Sequence, residues 1–397
     1  MFLVAEVILF LIGLLLAVPV LVVFLQVLLA LPRRPEPKMP EGGRGRVAVL
    51  VPAHNEELVI GETLASISRQ LETGDRLVVV ADNCSDRTAE IARERGAEVT
   101  IRTDTILRGK GFALDHGVRF LQQTGIRETV IFIDADCKLE NGCIYHLAQT
   151  CARSKRPTQA ADLVVSSQPP RELGSLILFA WKLKNLVRPL GWHRLNLPCQ
   201  LAGTGMAFPW EVIRSINLAN ARLAEDLKLG LDLALMGHFP QFCPDAVVTS
   251  NVGPGGVPSY SQRARWEHGT IEMMVHYLPR LFIKSCGNHS ISLIAMALDL
   301  SVPPIALFAL ILGVYLALTW ILQISGVDGP AIMSGILFLL FFASIVLAWL
   351  RFGREILPLR RLVFVAPVYL ICKVPLYARF FANRQREWVR GERELGG

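Results

Sequence analysis

The sequence predicts an α/β domain, a mostly parallel sheet with helices on both faces, flanked by transmembrane and interfacial helices. Three observations carry this. Apolar residues make up 52% of the 397, and their excess sits at the two ends of the chain. Between the ends, short apolar runs alternate with stretches of helical spacing. The polar residues able to do chemistry gather where those runs stop. Mean hydropathy is +0.41, high for a chain with a polar middle. A chain this long could hold two or three ordinary domains.

The first apolar run, Val7 to Pro32, is broken only by Pro19 and Gln26 and is long enough to cross a bilayer. A secretory signal is the rival reading. No basic stretch precedes the run, it is too long for such a signal, and no small-residue cleavage site follows. A retained span over 1–32 is therefore expected. Arg33, Arg34, Lys38, Arg44 and Arg46 follow it, and such a basic flank places the middle of the chain in the cytosol after a linker over 33–45.

From 46 to 270 the chain reads as one domain. Val47 to Val51, ended by Pro52, suits a strand buried on both faces. Helical spacing runs from Glu57 to about Leu71. Arg76 to Ala81 is a second strand, and Ser85 or Asp86 can cap a helix reaching Arg95, with Gly96 as its stop. Ala97 to Ile101 is a third strand, Gly111 to Gln123 a helix, and Thr129 to Asp134 a fourth strand. This alternation implies parallel strands, and ligands of such sheets bind outside the carboxyl ends of the strands.

After an interfacial helix over 271–290, the membrane region runs from 291 to 397. Ile291 to Ile324 is longer than one span needs, and Asp299 with Pro303-Pro304 implies a kinked or interfacial start before a span from about Ile305 to Leu322. The turn Ser325 to Pro330 lacks Lys and Arg, as expected outside, and Ile332 to Leu350 crosses back to Arg351, Arg354, Arg360 and Arg361. Leu362 to Ala378 carries Pro367, Lys373 and Pro375. It is read as re-entrant or surface-lying, which keeps Arg384, Arg386, Arg390 and Arg393 in the cytosol.

The net charge of +7 is thus mostly membrane flank, and no nucleic acid partner is needed to explain it. The eight cysteines form no CxxC pair and no zinc-ligand spacing, so reduced, buried thiols are expected. Leu176 to Leu195 mixes Leu178, Phe179, Trp181 and Trp192 with Lys182, Lys184, Arg188 and Arg194, which suits a membrane surface, as does Tyr277 to Lys284. A core helix is the alternative for both.

Strand one ends in Pro52-Ala53-His54-Asn55-Glu56, strand two in Asp82, and strand four in Asp134-Ala135-Asp136. Two carboxylates two residues apart repel unless a cation lies beside them. Mg²⁺ or Mn²⁺ would take such oxygens together with phosphate and water. A polar loop after a strand is the plain alternative. Lys110, at the start of a helix after Gly109, suits a phosphate, though a simple turn explains it equally. Gly203, Thr204 and Gly205 suggest close approach of backbone to a ligand, or an ordinary tight turn. Asp226 precedes a helical run, either as a cap or as a general base. Gln262 and Arg265 share a helix face beside Trp266, as a diphosphate and ring contact or as an interfacial belt.

In this order the motifs resemble the family 2 inverting glycosyltransferases of GT-A fold, especially membrane-bound enzymes of bacterial exopolysaccharide synthesis in the cellulose, hyaluronan and poly-N-acetylglucosamine synthase group. The resemblance covers roughly Val47 to Trp266. It implies that Pro52, Ala53, His54 and Glu56 border the nucleotide, Asp82 contacts the base, and Lys110 lies near the nucleotide. It further implies that Asp134 and Asp136 form the DxD pair, the second binding metal, and that Gly203, Thr204 and Gly205 lie near the acceptor. Asp226 becomes the catalytic base, and Gln262, Arg265 and Trp266 the QxxRW motif. Ala81 stands where many relatives have a further Asp, and Ala224 where many have Thr.

The implied activity is inverting transfer from a nucleotide-sugar, UDP-linked by expectation, to a lipid-linked or glycan acceptor at a bacterial inner membrane, with other polysaccharide-synthesis proteins as further partners. A processive synthase is the alternative within the class. Outside it stand a non-catalytic nucleotide-sugar-binding subunit and a membrane scaffold or transporter.

Overall fold

The computed structural model describes residues 2–34, 42–125, 128–166, 170, 172–219, 224–252, 260–324 and 328–382. Lys38, the turn positions Ser325, Gly326 and Val327, and the basic tail from Arg384 to Arg393 lie outside them. The chain begins with α1 (Phe2–Ala30), then β1 (Val47–Ala53), α2 (Ile60–Ser68), β2 (Arg76–Asp82), α3 (Thr88–Glu94), β3 (Glu98–Arg102), α4 (Lys110–Thr124) and β4 (Thr129–Phe132). It continues with β5 (Cys137–Leu139), α5 (Cys143–Ser154), β6 (Thr158–Ser166), α6 (Glu172–Lys182), a π-helical turn (Leu183–Val187) and α7 (Arg188–Arg194). Next come β7 (Met206–Pro209), α8 (Trp210–Ile213), α9 (Glu225–Leu235) and β8 (Gln241–Val252). The last part holds α10 (Tyr260–Asn288), α11 (Ile291–Leu300), α12 (Ile305–Gln323), α13 (Gly329–Ala348), a second π turn (Trp349–Gly353) and α14 (Leu359–Ala382).

One mixed sheet has the order β3-β2-β1-β4-β7-β6-β8-β5. β3, β2, β1 and β4 are parallel, as predicted. β7 is antiparallel to both β4 and β6, β8 runs parallel to β6, and β5 is antiparallel to β8. β1 is apolar on both faces because both are covered: Val47, Val49 and Val51 join a core with Ile60, Leu64 and Leu147, while Ala48 and Leu50 pack with Leu114, Val118 and Leu121 of α4. Each such buried Val or Leu contributes about 1.5–3 kcal/mol. Gly117 lets α4 lie on β1, since a Cβ there would sit 2.5 Å from Leu50 Cδ1.

Three expectations change. Strand four stops at Phe132, and Asp134 heads a turn closed by Cys137 N–H donating to Asp134 O (3.2 Å), so the two acids are not on extended chain. The helix expected from Glu57 starts at Ile60, because a turn with Asn55 at φ 54 and bonds from Val59 N and Ile60 N to Glu56 O comes first. The 176–195 stretch is a packed layer rather than a free amphipathic surface: Phe179, Leu183, Val187, Leu190 and Trp192 are buried in the core that holds Val23 and Val27 of α1.

Among the described residues, four helices, Leu3–Ala30, Ile305–Gln323, Gly329–Gly353 and Leu359–Arg379, are long and apolar enough to cross a membrane. α12 and α13 match the two predicted C-terminal spans. α14 is a continuous 24-residue helix with Pro367 and Pro375 inside it, so the segment expected to be short has the length of a span. α11 ends before Pro303-Pro304, which accounts for the predicted kink. Of the 271–290 segment expected as a separate interfacial helix, residues up to Asn288 belong to α10, which also carries the 262–266 motif.

Candidate active site

The crevice opens at the carboxyl ends of β1, β2 and β4, where a parallel sheet leaves loops free to diverge. At its far end His54 Nδ1 lies 2.7 Å from Asp82 O, and Glu56 N donates to Thr88 Oγ1 (2.7 Å), pinning the 52–56 loop to β2 and α3. Asp82 accepts from Arg102 Nη1 (2.7 Å) and Asn83 Nδ2 (3.0 Å), so its charge is balanced within the fold. Pro52, Ala53, His54, Glu56 and Asp82 thus share one end of the cleft.

The centre is built by four segments. Lys110, first residue of α4, forms an ion pair with Asp134 and donates to Gly203 O (2.7 Å). Asp134 N donates to Thr204 Oγ1 (3.1 Å), tying the turn after β4 to the 201–205 loop. Gln159 of β6 braces that loop from below, donating to Thr204 O (2.8 Å) and accepting from Ala202 N (2.9 Å). Gly203 has φ +84, and a Cβ there would stand 3.3 Å from Asp226 Oδ2 and 3.9 Å from Lys110 Nζ. The glycine therefore lets the base candidate and the ammonium approach one stretch of backbone. Gly205, with φ +65, is needed lower down, where a Cβ would meet Ala160 Cβ at 2.8 Å.

The charges are crowded. Burial pushes the Asp134 carboxyl above the usual carboxylate range; Lys110 opposes this, and Asp136 and then Asp226 add to it. Both acids therefore act on Asp134 from within reach of one cleft. Burial alone would lower the Lys110 ammonium, but the charges of Asp134, Glu225 and Asp226 outweigh it and raise it. Glu225 is pushed up to about 7 by burial and then by Asp226, and Asp162 of β6 to about 8 by burial and then by Asp134. Asp136 is exposed at the mouth. Among the described residues no three His, Cys, Asp or Glu side chains form a ready metal cage. The fit is instead to a cation that completes its shell with phosphate oxygens: Asp134 and Asp136 supply two carboxylates, and the excess of acids raising one another is what a divalent ion would relieve.

On α10, Trp266 packs on Trp181 of α6 with ring centroids 4.7 Å apart and planes at 60°. The charge of Arg265 acts on Glu225, which brings the motif to the residue beside Asp226. Short motifs missed Glu225, Asp162, Trp181 and Lys184. A lone carboxylate inside the apolar run around Asp162 was the one available signal.

The family model described as "Glycosyltransferase like family 2" matches residues 44–269, more than half of the chain. The chain belongs to glycosyltransferase family 2. Its domain has the GT-A fold: over 88% of this chain and 98% of the other, it superposes with TM-score 0.51 and 19% identity on the mannosyltransferase PcManGT from Pyrobaculum calidifontis, solved in complex with GDP-Man and Mn²⁺. A probable glycosyltransferase, YdaM, of Bacillus subtilis (strain 168) is 27% identical over 255 residues, 60% of this chain and 58% of that protein. The 4,4'-diaponeurosporenoate glycosyltransferase of Staphylococcus haemolyticus is 32% identical over 166 residues, 41% of this chain and 42% of that one. The family 2 chain thus spans about half the length of these curated relatives.

Proposed function

We propose that this family 2 domain transfers a sugar, with inversion, from a UDP-linked donor to a membrane-associated acceptor in cell-surface or exopolysaccharide synthesis, on the cytosolic face of a bacterial inner membrane. The observation that carries the reading is the convergence of Lys110, Asp134, Gly203 and Asp226. Asp226 takes the proton of the acceptor hydroxyl. The hydroxyl oxygen bonds to the anomeric carbon as the bond from that carbon to the diphosphate oxygen breaks, and the nucleoside diphosphate leaves. Lys110 and Arg265 balance the charge of the leaving group. Mg²⁺ or Mn²⁺, held by Asp136 and Asp134, would neutralise the same oxygens when bound. Pro52, Ala53, His54, Glu56 and Asp82 border the nucleotide. Gly203, Thr204, Gly205, Gln262 and Trp266 shape the acceptor end.

The test is Asp226→Asn in the full-length protein. Loss of a general base reduces transfer by about 10²–10⁴-fold, while donor binding stays within about twofold because the substitution keeps the shape of the side chain. Transfer within about twofold of the parent rate would remove Asp226 from the reaction. Product length, measured with labelled donor, distinguishes addition of one sugar, the mode proposed for this chain, from processive synthesis.

A further inference from the structure

The π-helical turn Leu183–Val187 interrupts an otherwise α-helical run and carries Lys184. π turns recur at functional sites because they re-aim side chains that an α-helix would bury. Here Leu183 and Asn185 are buried while Lys184 between them is exposed. Its surroundings are fixed on both sides. Asn185 Nδ2 donates to Asp162 Oδ2 (3.2 Å), and Trp181 Nε1 donates to Asp162 O (3.1 Å). Trp181 in turn packs on Trp266. Arg188, just after the turn, donates to Gln26 Oε1 of α1 (2.8 Å) and to Asp299 Oδ1 of α11 (2.8 Å). Lys184 therefore stands between the crevice and the helices that enter the membrane.

Lys184 forms no ion pair with a described residue, unlike Lys110, which is engaged by Asp134. Among the acids, the charge of Asp226 acts on Lys184 most strongly, followed by Asp162 and Glu267. Two of those acids do not compete for it. Glu267 is paired to Lys373, and Asp162 is pushed up to about 8, so it is mostly protonated at neutral pH. Lys184 shares a helix face with Trp181, three residues before it, which packs on Trp266, and it is left to meet an incoming anion there. Donor groups are served from the opposite side by Lys110 and the strand ends.

We propose that Lys184 binds the acceptor by holding a phosphate group that a lipid-borne acceptor presents on the membrane side of Asp226. This rests on the transferase reading above and names the acceptor chemistry of that site.

The experiment uses the full chain in neutral-lipid nanodiscs with nucleoside diphosphate and Mg²⁺, and measures binding of a prenyl phosphate against the matching prenyl alcohol. The parent protein binds the phosphate about tenfold or more tightly, the size of one charge-assisted hydrogen bond. Lys184→Met removes that preference, Lys184→Arg keeps most of it, and both leave nucleotide binding unchanged. No preference in the parent protein, or a preference that survives Lys184→Met, overturns the proposal, as does equal displacement by phosphatidylglycerol, which would make the occupant a bulk headgroup. Lys184-dependent binding without sugar transfer to any acceptor leaves this site standing and sinks the transferase reading. Transfer to a neutral glycolipid, unaffected by Lys184→Met and with no phosphate preference, does the reverse.

Discussion

Gly205→Ala measures how tightly the 201–205 loop is built. Gly205 has φ +65, where an L-residue with a Cβ costs about 1–2 kcal/mol. Its new methyl would also stand 2.8 Å from Ala160 Cβ and 2.9 Å from Val248 Cγ2, both in fully buried residues of β6 and β8. Those strands hold the centre of the sheet and cannot retreat cheaply, so overpacking adds about 1–3 kcal/mol. The sum is about 2–5 kcal/mol, or a fall of roughly 4–20 °C in apparent melting temperature at about 2–4 °C per kcal/mol. Gly96→Ala is the control: φ is +79 there, but nothing lies within 4 Å, so only the backbone contribution, about 1–2 kcal/mol, applies. Both variants of the full chain are melted in the same detergent by intrinsic fluorescence. Equal losses for the two would refute the packing argument, because the difference between them is the contact with Ala160 and Val248.

Two further outcomes follow from the charges. Chelation of divalent ions abolishes release of nucleoside diphosphate, and excess Mg²⁺ or Mn²⁺ restores it; Asp136→Asn needs about tenfold more metal for half activity, and full activity of the chelated parent protein would remove the ion from the reaction. Glu225 and Asp162 are acids raised in the folded state, from ordinary values of 4.5 and 3.8 to about 7 and about 8. The folded state then binds their protons more tightly, so the stability tied to them is full below those ordinary values and is lost as pH rises through about 7 and about 8. Apparent melting temperature therefore falls across that range, and the double change Glu225→Gln with Asp162→Asn flattens the fall; an equal slope in both proteins would contradict the assigned burial.

The parts of the fold legible in the sequence are those that local pattern encodes. β1 and β2 announce themselves because a strand covered on both faces is apolar through its length, and polar residues follow where each one ends. The second half of the sheet is silent in this sense. β7, β6, β8 and β5 pair across long stretches of chain, with a register shift at Ala160/Ala161, and no periodicity records which partner a strand will find. The 176–195 layer misleads for a related reason. Its mixture of Trp, Lys and Arg is what a membrane surface attracts, yet the same composition serves when the apolar side chains face α1 and Arg188 is paired in the interior. Arg188 shows this: its guanidinium is buried, and only Gln26 and Asp299, far away in sequence, make that tolerable.

That buried joint bears on how the family 2 domain sits against the apolar helices. Gly191 of α7 lies so close to α1 that a Cβ would stand 2.0 Å from Gln26 O, and Tyr315 of α12 reaches Leu9 O of the same helix at 2.9 Å. α1 is thus gripped at one end by the α/β domain and at the other by the C-terminal helices. Lys373 of α14 closes a second link through its ion pair with Glu267, next to Trp266, and His268 Nε2 meets Leu376 O at 3.0 Å. Polar contacts of this kind hold only if every partner stays in register, because an unpaired charge in such a place costs several kcal/mol. The cleft is therefore docked on the apolar helices through the layer that carries Lys184 and the helix that carries Trp266. On the proposed reading, an acceptor anchored in a bilayer would meet the crevice from that side, and a nucleotide-sugar would reach it past His54 and Asp82 from the other.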